Sequence, residues 1–289
     1  MNVAAVIVFY NPNVDALKTV NLLAKGIIVT IVVVNEASFE VHQALAEIEN
    51  VVIIRNVKNV GLATALNQGI IAALTDLRVE YLLLLDQDSK PTLEMISALH
   101  SSLNFAEKSG YRPACVGPKL IDHKVPGAAV QQGDRLAGSQ LIPAETIATS
   151  GTLISKKVLS EVGFMMDELF IDSIDHEWCL RARSKDMNIF VVSNAIMIHD
   201  MGDGGINYFG KFKPLHRSPI RHYYIIRNNL FMMRLNYVPF IWKIKEFLKT
   251  IRRFVVYLLI SNNKVKTLKL MVSAVKEGIF YDIRIKNKF

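Results

Sequence analysis

Two groups of acidic residues have the types and spacing that catalysis requires, and the first follows the apolar run Tyr81–Leu85. Asp86 and Asp88 stand at alternate positions directly after this run. Burying carboxylates at the end of a strand costs free energy unless a counter-charge is present. Two aspartates at alternate positions can bind a hard divalent cation, which in turn bridges phosphate oxygens. The alternative is a solvated turn that caps the next helix. The residues alone leave both interpretations open.

The second acidic group lies between residues 172 and 177 and contains Asp172, Asp175 and Glu177. If one helix includes both aspartates, their spacing of three places them on the same face. Two carboxylates this close suit a general base that works near neutral pH. The alternative is an acidic first helical turn stabilised by the helix dipole, with Arg181 paired to Glu177.

Three further groups of polar residues are candidates for ligand contacts. His199 follows the apolar run Ile189–Ile198 and is either a metal ligand or a structural histidine. Asn59, Gly61 and Asn67 belong to a segment in which glycine allows the backbone to approach a ligand closely. The last group contacts phosphates or belongs to the core: Tyr223, Tyr224, Arg227 and Asn228.

The elements that must position these residues alternate along the first half of the chain. β-branched apolar runs bounded by turn residues predict buried strands at Ala4–Phe9, Ile28–Val34, Val51–Ile54 and Tyr81–Leu85. Segments of helical character separate them at Val14–Lys25, Phe39–Ile48 and Gly61–Leu74. This βαβαβαβ order predicts an α/β fold with a doubly wound, mostly parallel sheet, in which ligands bind at the carboxyl ends of the strands.

The second half of the chain is less regular. Its patterns predict helices at Leu93–Phe105, Lys157–Val162 and Asp172–Lys185. They predict strands at Ala114–Ile121, Ala148–Ser155 and Ile189–Ile198. Glycines cluster between residues 202 and 210, which predicts a loop that acts as a lid.

Length and composition limit the class of protein. A chain of 289 residues with 51% hydrophobic residues can bury one large α/β core, and wholesale disorder is excluded. Its two cysteines are too few for a disulfide framework, so we expect reduced core thiols and a reducing, cytoplasmic compartment. The amino-terminal residues predict a first strand rather than a signal peptide. No uninterrupted apolar stretch is long enough to predict a transmembrane helix.

The charge is concentrated in the last part of the chain. Residues 211–289 carry 18 Lys and Arg against 3 Asp and Glu, a net charge of +15, whereas the first 210 residues carry a net charge of −7. Such a basic segment needs an anionic partner, either nucleic acid or membrane phospholipid. A basic amphipathic helix predicted at Phe240–Ile260 suits an anionic membrane interface. The alternative is a helix packed on the body with its basic face in water.

Taken together, these motifs resemble those of glycosyltransferase family 2, and within it the bacterial rhamnosyltransferases of surface-polysaccharide synthesis. The likeness covers about residues 3 to 230, and its specificity lies in the conjunction of the motifs rather than in any one of them. The matching segments are Val6–Pro12, Asn59–Gly61, Ala65–Gly69, Leu84–Ser89, Ser150–Gly151, Phe170–Arg181 and Tyr223–Asn228.

The resemblance implies a GT-A fold in residues 1–210, divided into a nucleotide-binding half (1–90) and an acceptor-binding half (91–210). The basic, helical extension 211–289 would associate with an anionic membrane surface, and no nucleic acid is expected as a partner. The implied activity is an inverting, metal-dependent transfer of L-rhamnose from dTDP-rhamnose onto a glycan or lipid-linked glycan. The enzyme would work in the cytoplasm, at the inner face of the cytoplasmic membrane.

The resemblance also implies roles for individual residues. Asp175 would be the catalytic base, and Asp86, Asp88 and His199 would bind Mg²⁺ or Mn²⁺, with Asp88 the better candidate for direct ligation. The donor-binding residues implied are Tyr10, Asn11, Asn35, Glu36, Asn59, Gly61, Asn67, Gln87 and Arg227. The acceptor-binding residues implied are Ser150, Gly151, Asp172, Glu177 and Trp178.

One segment departs from the family pattern. Family members usually carry Asp-Asn-x-Ser after the second strand, where this chain has Asn35-Glu36-Ala37-Ser38. The Asn35 oxygen can still accept a hydrogen bond from the N3–H of the base, and Glu36 is the other candidate.

Other functions remain open at this stage. The nearest enzyme alternative is galactofuranosyl, glucosyl or N-acetylglucosaminyl transfer on the same fold. A nucleotidyltransferase would need a Gly-rich, Arg-containing loop after the first strand, where this chain has Tyr10-Asn11-Pro12-Asn13. A nucleic-acid or scaffold-binding module would have no use for the two acidic groups, and it predicts DNA binding with a steep salt dependence.

Overall fold

The computed structural model describes residues 1–121, 133–198, 205–208, 211–214, 218–261 and 263–281. The strands in these ranges are β1 (Val3–Tyr10), β2 (Val29–Glu36), β3 (Val51–Arg55), β4 (Tyr81–Asp86), β5 (Pro113–Ile121), β6 (Leu141–Ala144), β7 (Thr152–Ser155), β8 (Asn188–Ile198), β9 (Gly205–Tyr208) and β10 (Lys211–Pro214). The helices are α1 (Asp15–Gly26), α2 (Phe39–Ala46), α3 (Leu62–Ala73), α4 (Leu93–Lys108), α5 (Lys156–Val162), α6 (Ile174–Arg183), α7 (Pro219–Arg234), α8 (Phe240–Ile260) and α9 (Lys264–Phe280).

One sheet of eight strands organises the fold, in the order β3-β2-β1-β4-β7-β5-β8-β6. The first four strands are parallel to one another, as are β5 and β8, and β7 and β6 run antiparallel to their neighbours. The prediction of a doubly wound, mostly parallel sheet is confirmed. The carboxyl ends of β1, β2, β4, β5 and β8 therefore lie along the same edge as the start of β7, and we call this the carboxyl edge.

Both faces of the sheet are covered by helices. Strand β1 is apolar at successive positions because it is buried on both sides: Val6 packs in the core under α3, α5, α6 and α7, and Ile7 packs in the core under α1, α2 and α4. Gly69 allows α3 to approach the sheet closely, since a Cβ atom there would lie 2.3 Å from a Val6 methyl group. The N-terminus of α3 is thereby held at the carboxyl edge.

The last helices pack partly on this body and partly on one another. Phe231 and Met232 of α7 are buried in the core on the α3 face of the sheet. Ile226 of α7 forms a second, smaller core with Tyr257 of α8 and Met271 of α9. Helix α7, which lies in the predicted C-terminal extension, therefore shares the main core of residues 1–210.

Several local predictions differ from the structure. Helix α6 begins at Ile174 rather than at residue 172, because Asp172 and Ser173 both have left-handed backbone conformations, with φ of 65° and 64°. Asp172 and Asp175 therefore do not share a helical face. The strand predicted at 148–155 is confined to β7, because a turn joins Thr149 to Thr152 through a backbone hydrogen bond of 3.0 Å.

The remaining differences concern strands that the sequence pattern did not predict. Strand β6 is short and lies at the edge of the sheet. Part of the glycine-rich segment predicted as a loop forms β9, which pairs antiparallel with β10. Strands β6, β9 and β10 have four residues each, which is the lower limit for recognising an alternating pattern.

Candidate active site

The first acidic group lies in the turn that follows β4 at the carboxyl edge. Asp86 is partly exposed and Asp88 is exposed. The turn is closed by hydrogen bonds from Ser89 N to Asp86 O and from Asp86 N to Ser89 Oγ, both 3.1 Å. Ser89 Oγ is also hydrogen-bonded to Ser150 Oγ, so the start of β7 fixes the turn. Ser150 is buried, and its hydroxyl supports the turn of the two aspartates.

The donor atoms of this turn fit a divalent cation. Carboxylate oxygens are the ligands that Mg²⁺ and Mn²⁺ favour. Among the described residues, no group of three His, Cys, Asp or Glu side chains could hold a metal ion. His199, the predicted third ligand, lies outside the described residues. It follows Ile198, which forms a β-bridge with Lys90, so the end of β8 runs beside the turn after Asp88.

The ends of β1, β2 and β4 bring four of the predicted donor-binding residues together. Tyr10 N donates to Gln87 Oε1 (2.8 Å), and Asn11 N donates to Glu36 O (2.8 Å). The side chains of Tyr10, Asn11 and Glu36 are exposed, and Gln87 is partly exposed. Polar and aromatic side chains that can contact a nucleotide therefore line this part of the carboxyl edge.

Asn35 lies beneath this surface in a network of amides. Its side chain is buried; Nδ2 donates to Gly61 O (3.3 Å) and Oδ1 accepts from Asn56 Nδ2 (2.9 Å). The Asn56 and Gln68 amides exchange two further hydrogen bonds of 2.9 and 3.0 Å. Neither Asn56 nor Gln68 was predicted as a site residue, although Gln68 lies in the matching segment Ala65–Gly69 and Asn56 directly follows β3 at the carboxyl edge.

The predicted residues around α3 contact protein. Asn59 Oδ1 accepts from Gly61 N (2.9 Å). Gly61 has a φ of 86°, and a Cβ atom there would lie 2.8 Å from Phe170 O, so this glycine allows a neighbouring loop to approach. Asn67 is buried and both donates to and accepts from the backbone of Met165, at 2.8 and 2.9 Å. These hydrogen bonds attach α3 to the segment that leads to the second acidic group.

The second acidic group lies at the same edge of the sheet as the first. Phe170 O accepts from Leu62 N (2.6 Å) in the first turn of α3, which begins at the carboxyl edge. Asp175 follows in the first turn of α6, where its side chain is partly exposed. Its Oδ1 accepts from His176 N (2.8 Å), as is common for an acidic residue at a helix N-terminus.

Glu177 and Trp178 point into the interior. Glu177 is fully buried and forms a bidentate ion pair with Arg181 at 2.7 and 2.9 Å, which is the pairing that the sequence offered as an alternative. Trp178 Nε1 donates to Gly163 O (2.9 Å). The hydrogen bonds of both side chains hold α6 on the body, so neither side chain is available to contact an acceptor.

The Glu177–Arg181 pair includes a tyrosine from the C-terminal part of the chain. Tyr237 Oη donates to Glu177 Oε1. Burial, together with the Glu177 carboxylate, raises the pKa of Tyr237 above its ordinary value, so the phenol remains a donor. Burial opposes the charge of Arg181, but Glu177 and Tyr237 hold its pKa above the usual value.

Three other predicted residues are also engaged by neighbours. Gly151, with a φ of 82°, lies against Pro118, and its backbone N–H donates to Leu84 O (2.8 Å) at the end of β4. Asp172 forms an ion pair with Arg221 Nη2 (3.1 Å). Arg227 is buried and donates to the Glu168 carbonyl (2.5 Å), so its guanidinium is directed at protein backbone.

The sequence is also similar to those of known proteins. The sequence model of glycosyl transferase family 2 matches residues 4–161. A dTDP-rhamnosyl transferase, RfbF of Shigella flexneri, is 31% identical over 289 residues, which cover 96% of this chain and 95% of RfbF.

Solved structures give the fold. The S. aureus protein TarS, residues 1–349, in complex with UDP-GlcNAc has a TM-score of 0.56 at 12% identity and is matched over 96% of this chain and 80% of that structure. A longer TarS structure has a TM-score of 0.54 at 11% identity, and this chain spans 48% of its length. The GT-A fold implied by the sequence motifs is thereby confirmed.

Proposed function

The chain belongs to glycosyltransferase family 2, and we propose that it transfers L-rhamnose from dTDP-rhamnose onto a glycan acceptor of a bacterial surface polysaccharide. Its activity as a glycosyltransferase follows from family membership. The choice of donor rests on one observation, the 31% identity to a dTDP-rhamnosyl transferase along nearly the whole of both chains. The TarS likeness supports the fold and has no weight in the choice of sugar, since only 12% of the residues are identical.

The proposed reaction is an in-line displacement that inverts the anomeric carbon. Asp175 takes the proton of the acceptor hydroxyl, the hydroxyl oxygen bonds to the anomeric carbon, and dTDP leaves from the opposite face of the sugar. The position of Asp175 supports this role, because its partly exposed carboxylate lies at the same edge of the sheet as Asp86 and Asp88.

The leaving diphosphate carries negative charge that the site must stabilise. Asp86 and Asp88, with His199, are the residues that would hold Mg²⁺ or Mn²⁺, which supplies this charge stabilisation when bound. Two observations support the pair: both are accessible, and hydrogen bonds through Ser89 and Ser150 fix the turn that carries them.

The donor nucleoside would lie on the ends of β1, β2 and β4. The exposed residues that we assign to it are Tyr10, Asn11, Glu36 and Gln87, with Asn35 beneath them. Asn59, Gly61, Asn67 and Arg227 support the site from the interior in our proposal. The acceptor would enter beside Asp175 and Asp172. Ser150 and Gly151 are buried and support the site from the interior, and Glu177 and Trp178 point away from the acceptor.

The surface of α8 supports a membrane-associated acceptor. Glu246, Thr250 and Tyr257 on this helix are buried, Thr250 and Tyr257 against α7. The opposite face is exposed and apolar, at Phe240, Ile241, Ile244, Phe247, Leu248, Ile251, Val255 and Leu259. A surface helix of a water-soluble protein normally directs its apolar face to the core and its polar face to water. An exposed apolar stripe of this length therefore marks an interaction surface.

The charge around this stripe favours an anionic bilayer surface as its partner. Lys245, Lys249 and Arg252 are exposed on α8, beside the apolar residues. An amphipathic helix with this composition lies in a membrane interface with its apolar face among the lipids. No helix in the described part of the chain is long and apolar enough to cross a membrane. We therefore propose peripheral attachment, with a lipid-linked glycan as acceptor.

The attachment would be at the cytoplasmic face of the membrane. The two cysteines support this location, because both are buried and free, as is usual in a reducing compartment. If only the positive charge is considered, a nucleic-acid-binding module is the alternative. It leaves the exposed apolar stripe without a role, and it predicts DNA binding that weakens steeply as salt is added.

A panel of nucleotide sugars tests the proposed donor. The full chain is incubated with Mn²⁺ and dTDP-rhamnose, dTDP-glucose, UDP-glucose, UDP-galactofuranose or UDP-GlcNAc, and both donor hydrolysis and thermal stabilisation are measured. We expect dTDP-rhamnose to give the largest stabilisation and the fastest hydrolysis, because a ligand stabilises the folded state in proportion to its binding free energy. Equal or greater response to a UDP-sugar would refute the assignment of rhamnose.

A further inference from the structure

The loop that leads into Asp175 has an unusual backbone. Three of its four residues, Phe170, Asp172 and Ser173, have positive φ angles of 61°, 65° and 64°. None of them is glycine, and non-glycine residues rarely adopt this conformation unless surrounding contacts impose it. The contacts that impose this conformation therefore determine the position of the first turn of α6.

Asn228 of α7 supplies the most direct of these contacts. Its side chain is fully buried, and Nδ2 donates to the carbonyl oxygens of Leu169 (2.9 Å), Ile171 (2.7 Å) and Asp172 (2.9 Å). Arg227 Nε donates to Asn228 Oδ1 (3.0 Å), which orients the amide so that its NH₂ group faces the loop. One side chain therefore contacts three carbonyl groups, two in the positive-φ loop and one directly before it, and one of its two N–H hydrogens is shared between two of them.

Other residues of α7 contact this loop and the two residues directly before it. Arg227 Nη2 donates to Glu168 O (2.5 Å) and Leu169 O (3.1 Å). Arg221 makes a bidentate ion pair with Asp172, with N–O distances of 3.1 and 3.2 Å. The Phe170 ring stacks on Tyr224 with centroids 4.8 Å apart and planes 11° apart.

We propose that Asn228 is a positioning residue that fixes the loop 170–173 and, through it, the carboxylate of Asp175. The inference rests on the proposed role of Asp175 as general base. It assigns to the C-terminal part of the chain a function in the reaction that is separate from membrane attachment. Asn228 acts through the loop and contacts neither donor nor acceptor in this proposal.

The next residue provides a matched control. Asn229 is also an asparagine of α7 and is buried, but its Nδ2 donates to Thr250 Oγ1 (3.1 Å) of α8 and so faces away from the loop. Asn228→Ala and Asn229→Ala each remove one buried amide from the same helix. A role in stability alone predicts similar effects, whereas a positioning role predicts different ones.

Two measurements on the full chain separate these possibilities. Hydrogen exchange of the amides in residues 170–175 should be faster by about tenfold or more in Asn228→Ala and unchanged in Asn229→Ala, because only the first variant frees the loop. The kcat for transfer should fall about 10- to 100-fold in Asn228→Ala, since small displacements of a reacting group have effects of this size. The donor KM should stay within about twofold in both variants, and kcat of Asn229→Ala within about twofold of the native value.

The proposal is overturned if the two variants have the same loop exchange and the same kcat at a temperature at which both are folded. If Asn228→Ala does not fold, Asn228→Ser takes its place, because its hydroxyl keeps one donor to the loop, and the same order of effects is expected. Asp175→Asn distinguishes this inference from the proposed function. Full turnover in Asp175→Asn would refute the base, whereas an inactive Asp175→Asn together with native exchange and kcat in Asn228→Ala would refute only the positioning role.

Discussion

The first prediction concerns the contribution of the exposed apolar stripe of α8 to membrane binding. Ile244, Leu248 and Ile251 lie at spacings of four and three on this stripe and are 46%, 61% and 50% exposed. Replacing all three by serine removes the apolar surface that we propose to enter the lipid. The buried face of α8, with Glu246 and Thr250, stays unchanged, so the helix remains attached to the body.

The expected magnitude can be worked from the exposed fractions. Complete burial of a leucine or isoleucine side chain contributes about 1.5–3 kcal/mol, so about half of each side chain contributes roughly 1 kcal/mol on entering the bilayer. The triple variant therefore loses about 3 kcal/mol of binding free energy, which corresponds to an increase of about 150-fold in the dissociation constant. The free energy of unfolding should change by less, because substitutions at exposed positions usually change it by about 0.5 kcal/mol or less each.

Co-sedimentation of the full chain with vesicles measures this effect. Vesicles of phosphatidylcholine with phosphatidylglycerol are compared with vesicles of phosphatidylcholine alone, at low and high salt. Removing the charges of Lys245 and Arg252 by substitution with glutamine should weaken binding to the anionic vesicles by about 1 kcal/mol for each residue, and high salt should reduce this difference. Thr250→Ala, on the buried face, is the control for a general loss of stability.

Native binding of the serine triple variant to anionic vesicles would refute the membrane assignment of α8. So would an absence of vesicle binding by the unmodified chain. If the triple variant instead converted a dimer to a monomer in sedimentation experiments without vesicles, a second copy of the chain would be the partner of the stripe.

Asp175→Asn should lower kcat by about 10²-fold or more while the donor KM changes little, because only general-base help is removed, and near-normal turnover would rule out this base. Chelation with EDTA should abolish transfer, and Mn²⁺ should restore it; activity that survives chelation would contradict the cation site. Gly61→Ala should destabilise the fold more than Gly110→Ala, because both glycines have positive φ (86° and 84°) but only a Cβ at Gly61 meets a backbone oxygen, at 2.8 Å; equal unfolding free energies would contradict this. Glu177→Gln should lower the free energy of unfolding by about 3 kcal/mol, because the charge of Arg181, which is only 12% exposed, loses its partner; a loss of acceptor affinity without a loss of stability would return Glu177 to the acceptor site.

That these candidate residues come together at one edge of the sheet was predictable from the sequence, because it depends on topology. Four β-branched runs separated by helical segments predict parallel strands, and parallel strands bring the residues at their carboxyl ends to a single edge of the sheet. Tyr10, Glu36 and Asp86 each end such a strand, Asp88 lies two residues after Asp86, and the structure brings all four to the carboxyl edge. The first four predicted strands differ from the observed ones by at most two residues at either end.

The partners of the buried polar residues were not predictable from the sequence. Asn228 and Leu169 are 59 residues apart, and no local pattern links an asparagine in one helix to the carbonyl groups of a distant loop. Glu177 and Trp178 matched a family motif, but whether a motif residue faces the cleft or the core depends on packing that periodicity does not encode. The left-handed conformation of Ser173 also has no sequence signal, because such positions are normally marked by glycine, and the start of α6 was therefore predicted too early.

The contacts of Glu277 have a consequence for protein engineering. This residue of α9 pairs with Arg227 Nη1 (3.2 Å) and accepts a hydrogen bond from Tyr223, so Arg227 connects α9 to Glu168 and Leu169, directly before the loop 170–173. A chimera that exchanges the C-terminal helices with those of another transferase must therefore exchange residues 168–173 as well. A cut at the predicted boundary between residues 210 and 211 would separate α7 from the loop that its side chains hold.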